Sequence, residues 1–332
     1  MLDRLKQAFS RAKDKLGSLL KGFLPASAND GRTLAESMQR LRDKTQSLYS
    51  TAESECLAEL NGYTSRFAGE ESARSKDAKQ YASWKRTTVY SGGWDSVADS
   101  CTLYVYDANA AATRYLNGER EEVYIASYNR TAYEIEKRTG VKMEPFRGGV
   151  PLAQIRMNVS KDEAWNARKI AAAVASGVSS GESLDATNRR IASNLAKQNR
   201  EAFLRNARTY LTGAQNAGRD AAMQAAVAAG VAVKKMWIAT LDHRTRDAHR
   251  ELDGQVVDID QPFTVYGDTI RFPGDPLAKP ALVYNCRCTL GFVYPDYPDL
   301  GPRRDNETGE YIPYITYREW ERSRGSSTGR RF

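Results

Sequence analysis

Histidine is almost missing from this chain: two among 332 residues, beside only four cysteines. There is no His-Glu-x-x-His pair, no Ser/His/Asp signature and no phosphate-cradling glycine motif, which removes the standard marks of zinc peptidases, serine hydrolases and P-loop nucleotide enzymes. Long apolar runs are also lacking. The longest, Ala225 to Val233, contains Gly230 and is far too short to cross a bilayer, so no membrane span is expected. No apolar signal segment opens the sequence, and four cysteines in that setting point to synthesis in a reducing cytoplasm.

What is present in excess is positive charge. Lysine and arginine number 49 against 41 aspartates and glutamates, a net of +8 and a pI near 9.2. That balance favours an acidic partner, either nucleic acid or an acidic protein surface. Part of it sits at the ends. Residues 1–21 carry six basic against two acidic side chains, and residues 318–332 carry five arginines against Glu319 and Glu321. The length allows one large or two moderate domains without covalent staples.

Four segments are expected. In 1–31, Leu2, Leu5, Phe9, Ala12, Leu16, Leu19 and Phe23 recur at intervals of three and four, spelling a basic amphipathic helix before a flexible link at 26–31. Such a helix suits an anionic lipid surface or a groove on a partner protein. Residues 32–150 begin with a heptad-like seam, Leu34, Met38, Leu41, Thr45, Leu48 and Ala52, running down to a stop at Asn61-Gly62. Ten tyrosines and tryptophans then crowd 81–133, suited to a core or a protein interface and less to base stacking, since no groove motif accompanies them. A helix from Gly118 to Arg138 ends at Gly140, and Pro145 to Pro151 marks a boundary.

In 151–300, Ser160-Lys161-Asp162-Glu163 reads as a capping box for a helix ending at Gly177. A second helix starts near Leu184, and a third, alanine-rich, spans about Gln198 to Ala229, with Gly213 and Gly218 inviting another backbone to approach closely. The period then shifts to that of strands at Val231 to Ala239, Gln255 to Asp260 and Leu282 to Val293, with a short helix near Arg244 to Glu251 between them. Residues 301–332 are read as a basic tail. The fold class is α+β: a mainly helical N-terminal region followed by a small α+β module with a short β-sheet.

Both histidines and two of the cysteines fall within 236–290. Imidazole and thiolate are the usual nitrogen and sulfur ligands of structural zinc, so Asp242 (or His243), His249, Cys286 and Cys288 form a candidate zinc set. On a strand, Cys286 and Cys288 present their sulfurs to one face. Yet Cys-x-Cys is not the usual zinc-finger spacing, and the competing reading has two small buried thiols filling a core, with His249 and Arg246 as hydrogen-bonded props. A disulfide between Cys286 and Cys288 would close a very small, strained ring. A catalytic version, a metal-dependent hydrolase or nuclease with Asp247, Glu251 or Asp253 as base, is the alternative function. Its variant uses a cysteine nucleophile paired with His249 and activated by Arg246 and Arg287.

The order of these signals carries a family resemblance. Ala207-Arg208-Thr209 on the alanine-rich helix, Trp237 on a strand, the run Asp242 to His249, Leu252-Asp253-Gly254, Pro273-Gly274-Asp275-Pro276 and Asn285-Cys286-Arg287-Cys288 together resemble the minor head proteins of tailed bacteriophages, typified by the F protein of phage Mu, over about 160–295. The resemblance implies a non-enzymatic virion component made in the host bacterial cytoplasm. It also implies a place at the portal vertex, in procapsid assembly, DNA packaging or DNA delivery. Its partners would be the portal protein, a major capsid or scaffolding protein, and packaged double-stranded DNA bound without sequence preference. Trp237, Arg246, Gly254, Pro273 and Asn285 would serve as structural motif residues. Where the family usually has an acidic residue after the Arg-Thr pair, this chain has Tyr210.

Overall fold

The structure, a computed structural model, describes residues 26–156, 159–295 and 300–325. The basic amphipathic helix expected in the first 24 residues lies outside them. The described residues open with helix α1 (Ala26–Thr64), so the backbone expected to be a flexible link at 26–31 is helical. Its seam is buried at Met38, Leu41, Thr45, Tyr49, Ala52, Cys56 and Leu60, and it continues through the expected stop at Asn61-Gly62. Glycine inside a helix costs about 1 kcal/mol, less than the gain from burying Leu60 and from the hydrogen bond that Asn188 gives the Thr64 hydroxyl.

A 3-10 turn (Ser65–Phe67) leads to α2 (Ala68–Arg74) and α3 (Ala78–Trp84), the latter capped by Asp77, whose carboxylate accepts from the amides of Lys79 and Gln80. After a π-helical turn (Lys85–Val89) comes α4 (Trp94–Thr139), a 46-residue helix that includes Gly118 rather than starting there and ends at Gly140 with φ +71. Helix α5 (Val159–Ser179) already includes Ser160, where the expected capping box would begin the helix, and runs two residues past the expected end at Gly177. Helix α6 (Leu184–Ala228) is one 45-residue rod where two helices were expected, because no glycine or proline interrupts the stretch between Leu184 and Gln198.

The chain packs as two compact units that do not follow chain order. One gathers residues 36–122 and 150–211. Its core joins Tyr49, Leu60, Trp94, Val105 and Ala112 with Ile170, Ile191 and Leu195. A buried polar thread also runs through it: Tyr49 donates to Asn109, Asn109 to Asn199 at 3.1 Å, and Asn199 to Asn166 at 2.8 Å. Of the ten aromatics of 81–133, Tyr81, Trp84, Trp94 and Tyr124 are buried, five are partly buried and Tyr133 is exposed.

The other unit gathers, among the described residues, 26–35, 123–149, 212–295 and 300–325. Its centre is a three-stranded antiparallel sheet, ordered β2 (Val256–Val257), β1 (Lys234–Ile238), β5 (Thr289–Val293), with Trp237 opposite Leu290. Between these strands lie α7 (Asp247–Leu252), the hairpin β3 (Phe263–Val265) and β4 (Asp268–Ile270), and one helical turn, α8 (Pro280–Val283). The strand expected from Leu282 is therefore shorter. Pro280 starts a helical turn and Asn285, at φ +54, breaks the extended path, so Cys286 and Cys288 precede β5 rather than lie on it.

Residues 301–325, expected as part of a basic tail, are folded: a hairpin of β6 (Arg303–Arg304) and β7 (Tyr311–Ile312), then α9 (Tyr317–Gly325), with Tyr317 and Trp320 buried against Leu241. The basic count misleads here because two of these arginines are consumed internally, Arg303 by Asp253 and Arg324 by Asp305. The architecture is α+β, with long helices preceding short antiparallel strands. None of the described helices is long and apolar enough to cross a membrane.

Candidate functional site

Three side chains converge beside Trp237. Helix α7 carries His249 on its buried face, one turn after Arg246 begins the helix in an extended conformation. The left-handed turn at Asn285 then swings Cys286 and Cys288 toward it; asparagine tolerates that backbone better than most residues. His249 Nδ1 lies 3.2 Å from Cys288 Sγ and 3.6 Å from Cys286 Sγ, and all three donor atoms fall within 4.8 Å of one another. The imidazole is fixed from behind: Nε2 is 3.0 Å from the Leu282 carbonyl oxygen and 3.1 Å from the Arg246 guanidinium. Trp237, fully buried, meets the imidazole edge-on at 5.6 Å, and its own Nε1 has no hydrogen-bond partner.

Both cysteines are free thiols within an apolar core that includes Leu252, Phe263 and Leu290. The hydrogen bond from Cys288 holds the Cys286 thiol below the ordinary range against the effect of burial, with help from Arg246 and Arg287. Burial pushes Cys288 well above it.

Asp242, included in the expected ligand set, does not join this cluster. Its two oxygens take the Arg287 guanidinium as a fork, with one bond at 2.7 Å, and the Arg244 amide and Thr245 hydroxyl add to the same carboxylate. Burial opposes the charge, but the Arg287 hydrogen bonds and charge outweigh it and hold the Asp242 carboxyl below the usual carboxylate range. Asp242 is therefore the anchor of Arg287. His243 also stands apart, exposed, with its ring 5.7 Å from that of Trp320. Asp253, offered as a base, is consumed by Arg303, while Asp247 and Glu251 make ion pairs with Arg250 and Arg318.

The remaining motif residues serve as backbone. Gly274, at φ +81, lies against Gly213 of α6; a Cβ at Gly213 would meet the Gly274 carbonyl oxygen at 2.5 Å, so the close approach expected of that glycine occurs here. Gly254, at φ +79, turns the chain between α7 and β2 and donates to the Trp237 carbonyl. Sequence reading missed the residues that bind this loop work to the helix. Buried Asn216 of α6 donates to the carbonyls of Pro273 (3.0 Å) and Cys288 (3.3 Å) and accepts from the Leu290 amide (2.8 Å), while the Thr212 hydroxyl donates to the Cys286 carbonyl (3.1 Å). The available signal was two polar residues four apart beside Gly213, on the alanine-rich helix. Tyr210, where the family shows an acid, is partly exposed and has the Arg120 guanidinium over its ring at 5.6 Å.

This arrangement is a brace rather than a reaction chamber. His249, Cys286 and Cys288 are each at most 4 % exposed, and the cavity that Cys288 borders with Thr240, Arg287 and Arg303 includes neither His249 nor Cys286. No reactant could touch all three.

The family described as Phage Mu protein F like protein matches residues 168–291. Over 230 residues the chain is 33% identical to the minor head protein GP7 of Bacillus phage SPP1, an alignment covering 64% of this chain and 73% of that protein. A shorter stretch of 118 residues is 37% identical to the NAD(+)–arginine ADP-ribosyltransferase EFV of Enterococcus faecalis, covering 35% of this chain but 24% of that enzyme. No solved structure matches. The expected motif order, the buried brace it builds and the extent of the likeness to a phage minor head protein agree, and the chain belongs to the Mu F-like family of phage minor head proteins, as a structural component of the virion head.

Proposed function

We propose that this chain is made in the host bacterial cytoplasm and joins the portal vertex of a tailed phage. There it would assist procapsid assembly, DNA packaging or DNA delivery through contacts with the portal protein and with a major capsid or scaffolding protein. The observation that carries this reading is the 33% identity, over most of its length, to a minor head protein of another phage. The compact α+β unit acts as the adaptor and the helical unit as the docking surface. A net charge of +8 suits a protein that works beside packaged DNA, where lysine and arginine meet phosphates without reading bases.

Two measurements test it. The chain is captured from assembling particles and its companions identified: a co-purifying portal ring supports the vertex assignment, and capsid components without the portal overturn it. Binding to unrelated duplexes is then followed as salt rises. Affinity should fall alike for all of them, whereas preference for one sequence, or binding indifferent to salt, contradicts the DNA role.

A further inference from the structure

We propose that His249, Cys286 and Cys288 hold one zinc ion as a structural cross-link between α7 and the segment leading into β5.

The donors, one imidazole nitrogen and two sulfurs, are of the types zinc takes from proteins. With zinc–sulfur bonds of about 2.3 Å and zinc–nitrogen bonds of about 2.0 Å, tetrahedral geometry sets nitrogen and sulfur about 3.6 Å apart. The two separations here are 3.2 and 3.6 Å, and all three donor atoms lie within 4.8 Å of one another. The atom of His249 facing the sulfurs is Nδ1, and the other ring nitrogen lies 3.0 Å from the Leu282 carbonyl. A histidine ligand that donates its second N–H to a backbone carbonyl is the usual outer support of a zinc site.

Without a metal the imidazole is caught between two demands. Arg246 can only donate and the Leu282 carbonyl can only accept, yet both lie against Nε2. A cation at Nδ1 resolves this by fixing the proton on Nε2, where Leu282 accepts it.

Charge favours the same conclusion. Zinc displaces one proton from each thiol, both released to solvent, and the resulting unit of one dication and two thiolates is neutral. A neutral unit can lie in an apolar core where an isolated thiolate would be costly. Among the described residues no further His, Cys, Asp or Glu joins the group, so the fourth position falls to a water molecule. The partnerless Nε1–H of Trp237, on the indole packed against His249, is a donor still lacking an acceptor in this buried region.

The test uses the full chain, purified without chelators and analysed for metal. About one zinc per chain is expected. Stripping it with a chelator should lower the melting midpoint by at least about 5 °C, reversed by adding Zn2+ alone. Loading the stripped chain with Co2+ should give the thiolate-to-cobalt charge-transfer absorption, lost in Cys288→Ser and in Cys286→Ser. A chain that purifies without zinc, melts at the same temperature with and without Zn2+ and gives no such absorption with Co2+ overturns the proposal. So does zinc retained at full stoichiometry by both serine variants. Should those variants fail to fold, the metal content, melting and cobalt spectrum of the unaltered chain still decide. None of these readouts depends on portal or DNA binding.

Discussion

The Asp253 carboxylate and the Arg303 guanidinium, fifty residues apart in sequence, face each other as a two-pronged pair with 2.9 Å bonds on both prongs and side chains only 1 % and 4 % exposed. The carboxylate's four acceptor positions are all used, as are four of the five guanidinium N–H groups. Asp253 also accepts from the amides of Ala239 (2.6 Å) and Tyr317 (2.6 Å), and Arg303 donates to the carbonyls of Ala239 (2.5 Å) and Ile315 (2.7 Å). The pair ties the turn after α7 to the C-terminal hairpin and helix. Arg303→Ala leaves a buried carboxylate without its counter-charge and should cost about 3–5 kcal/mol, read as a lower denaturation midpoint. Arg303→Lys, which keeps the charge but not the fork, should recover only part of it. A loss below about 1 kcal/mol for Arg303→Ala would show that solvent reaches the pair.

Asn216 holds two loops and a strand to α6 at once. Asn216→Ala strands the Leu290 amide and the Pro273 carbonyl in the interior, at about 1–3 kcal/mol for each group left without a partner. Asn216→Asp keeps the acceptor for Leu290 but sets a buried carboxylate oxygen against the Pro273 and Cys288 carbonyls, and should cost more than Asn216→Ala. Urea unfolding of the three proteins gives the order directly, and equal stability of all three would refute the clamp.

Two helical glycines should respond with opposite sign. Gly213→Ala drives a methyl group into the Gly274 carbonyl, which is backbone and has little room to retreat, and should destabilise by about 1–3 kcal/mol. Gly118→Ala lies within α4 with nothing inside 4 Å of the added methyl and should stabilise by about 0.5–1 kcal/mol. Melting curves of the two variants decide it; a shift in the same direction for both is the contrary result.

Acid should loosen the C-terminal helix. Despite the opposing effect of burial, the Asp305 carboxyl is drawn down to about 2 by the Trp320 indole N–H, Arg324 and the amides of Glu307 and Thr308. Its folded value lies below the unfolded one, so its stabilisation is complete above about 4 and is lost as pH falls from there toward about 2. Tryptophan fluorescence of the wild type should report this change, and Asp305→Asn should weaken its dependence on pH across that window.

All four cysteines are buried. A thiol reagent should therefore leave the native chain unmodified and label it fully after unfolding, as a count of labelled sites by mass would show. Rapid labelling of Cys286 in the native state would mean an open pocket and a nucleophile rather than a brace.

Much of this was legible in the residues. The concentration of His249, Cys286 and Cys288 in a chain so poor in both types marked the site, and Gly213 announced a close backbone approach that Gly274 supplies. Other parts were hidden for physical reasons. Asp242 looked like a ligand because a carboxylate suits a metal and an arginine equally, and only coordinates show which is nearer. The Cys-x-Cys face was right in outcome but wrong in cause: the left-handed turn at Asn285, not strand alternation, brings both sulfurs to one side. The C-terminal arginines read as a tail because charge in sequence does not reveal a buried acid fifty residues earlier. The helix breaks expected at Asn61-Gly62 and before Gln198 were overridden by packing and by the absence of any real breaker.

Residues 123–149 carry Ala132, Ile135 and Met143 into the same apolar core as Trp237, Phe263 and Leu290. A recombinant fragment trimmed to the homologous stretch, 168–291, would therefore discard both that strip and the Arg303 anchor, leaving greasy surface and an orphaned Asp253 open to water. Such a fragment should clump in expression, and a soluble piece would have to keep the second half of α4 together with everything through Gly325.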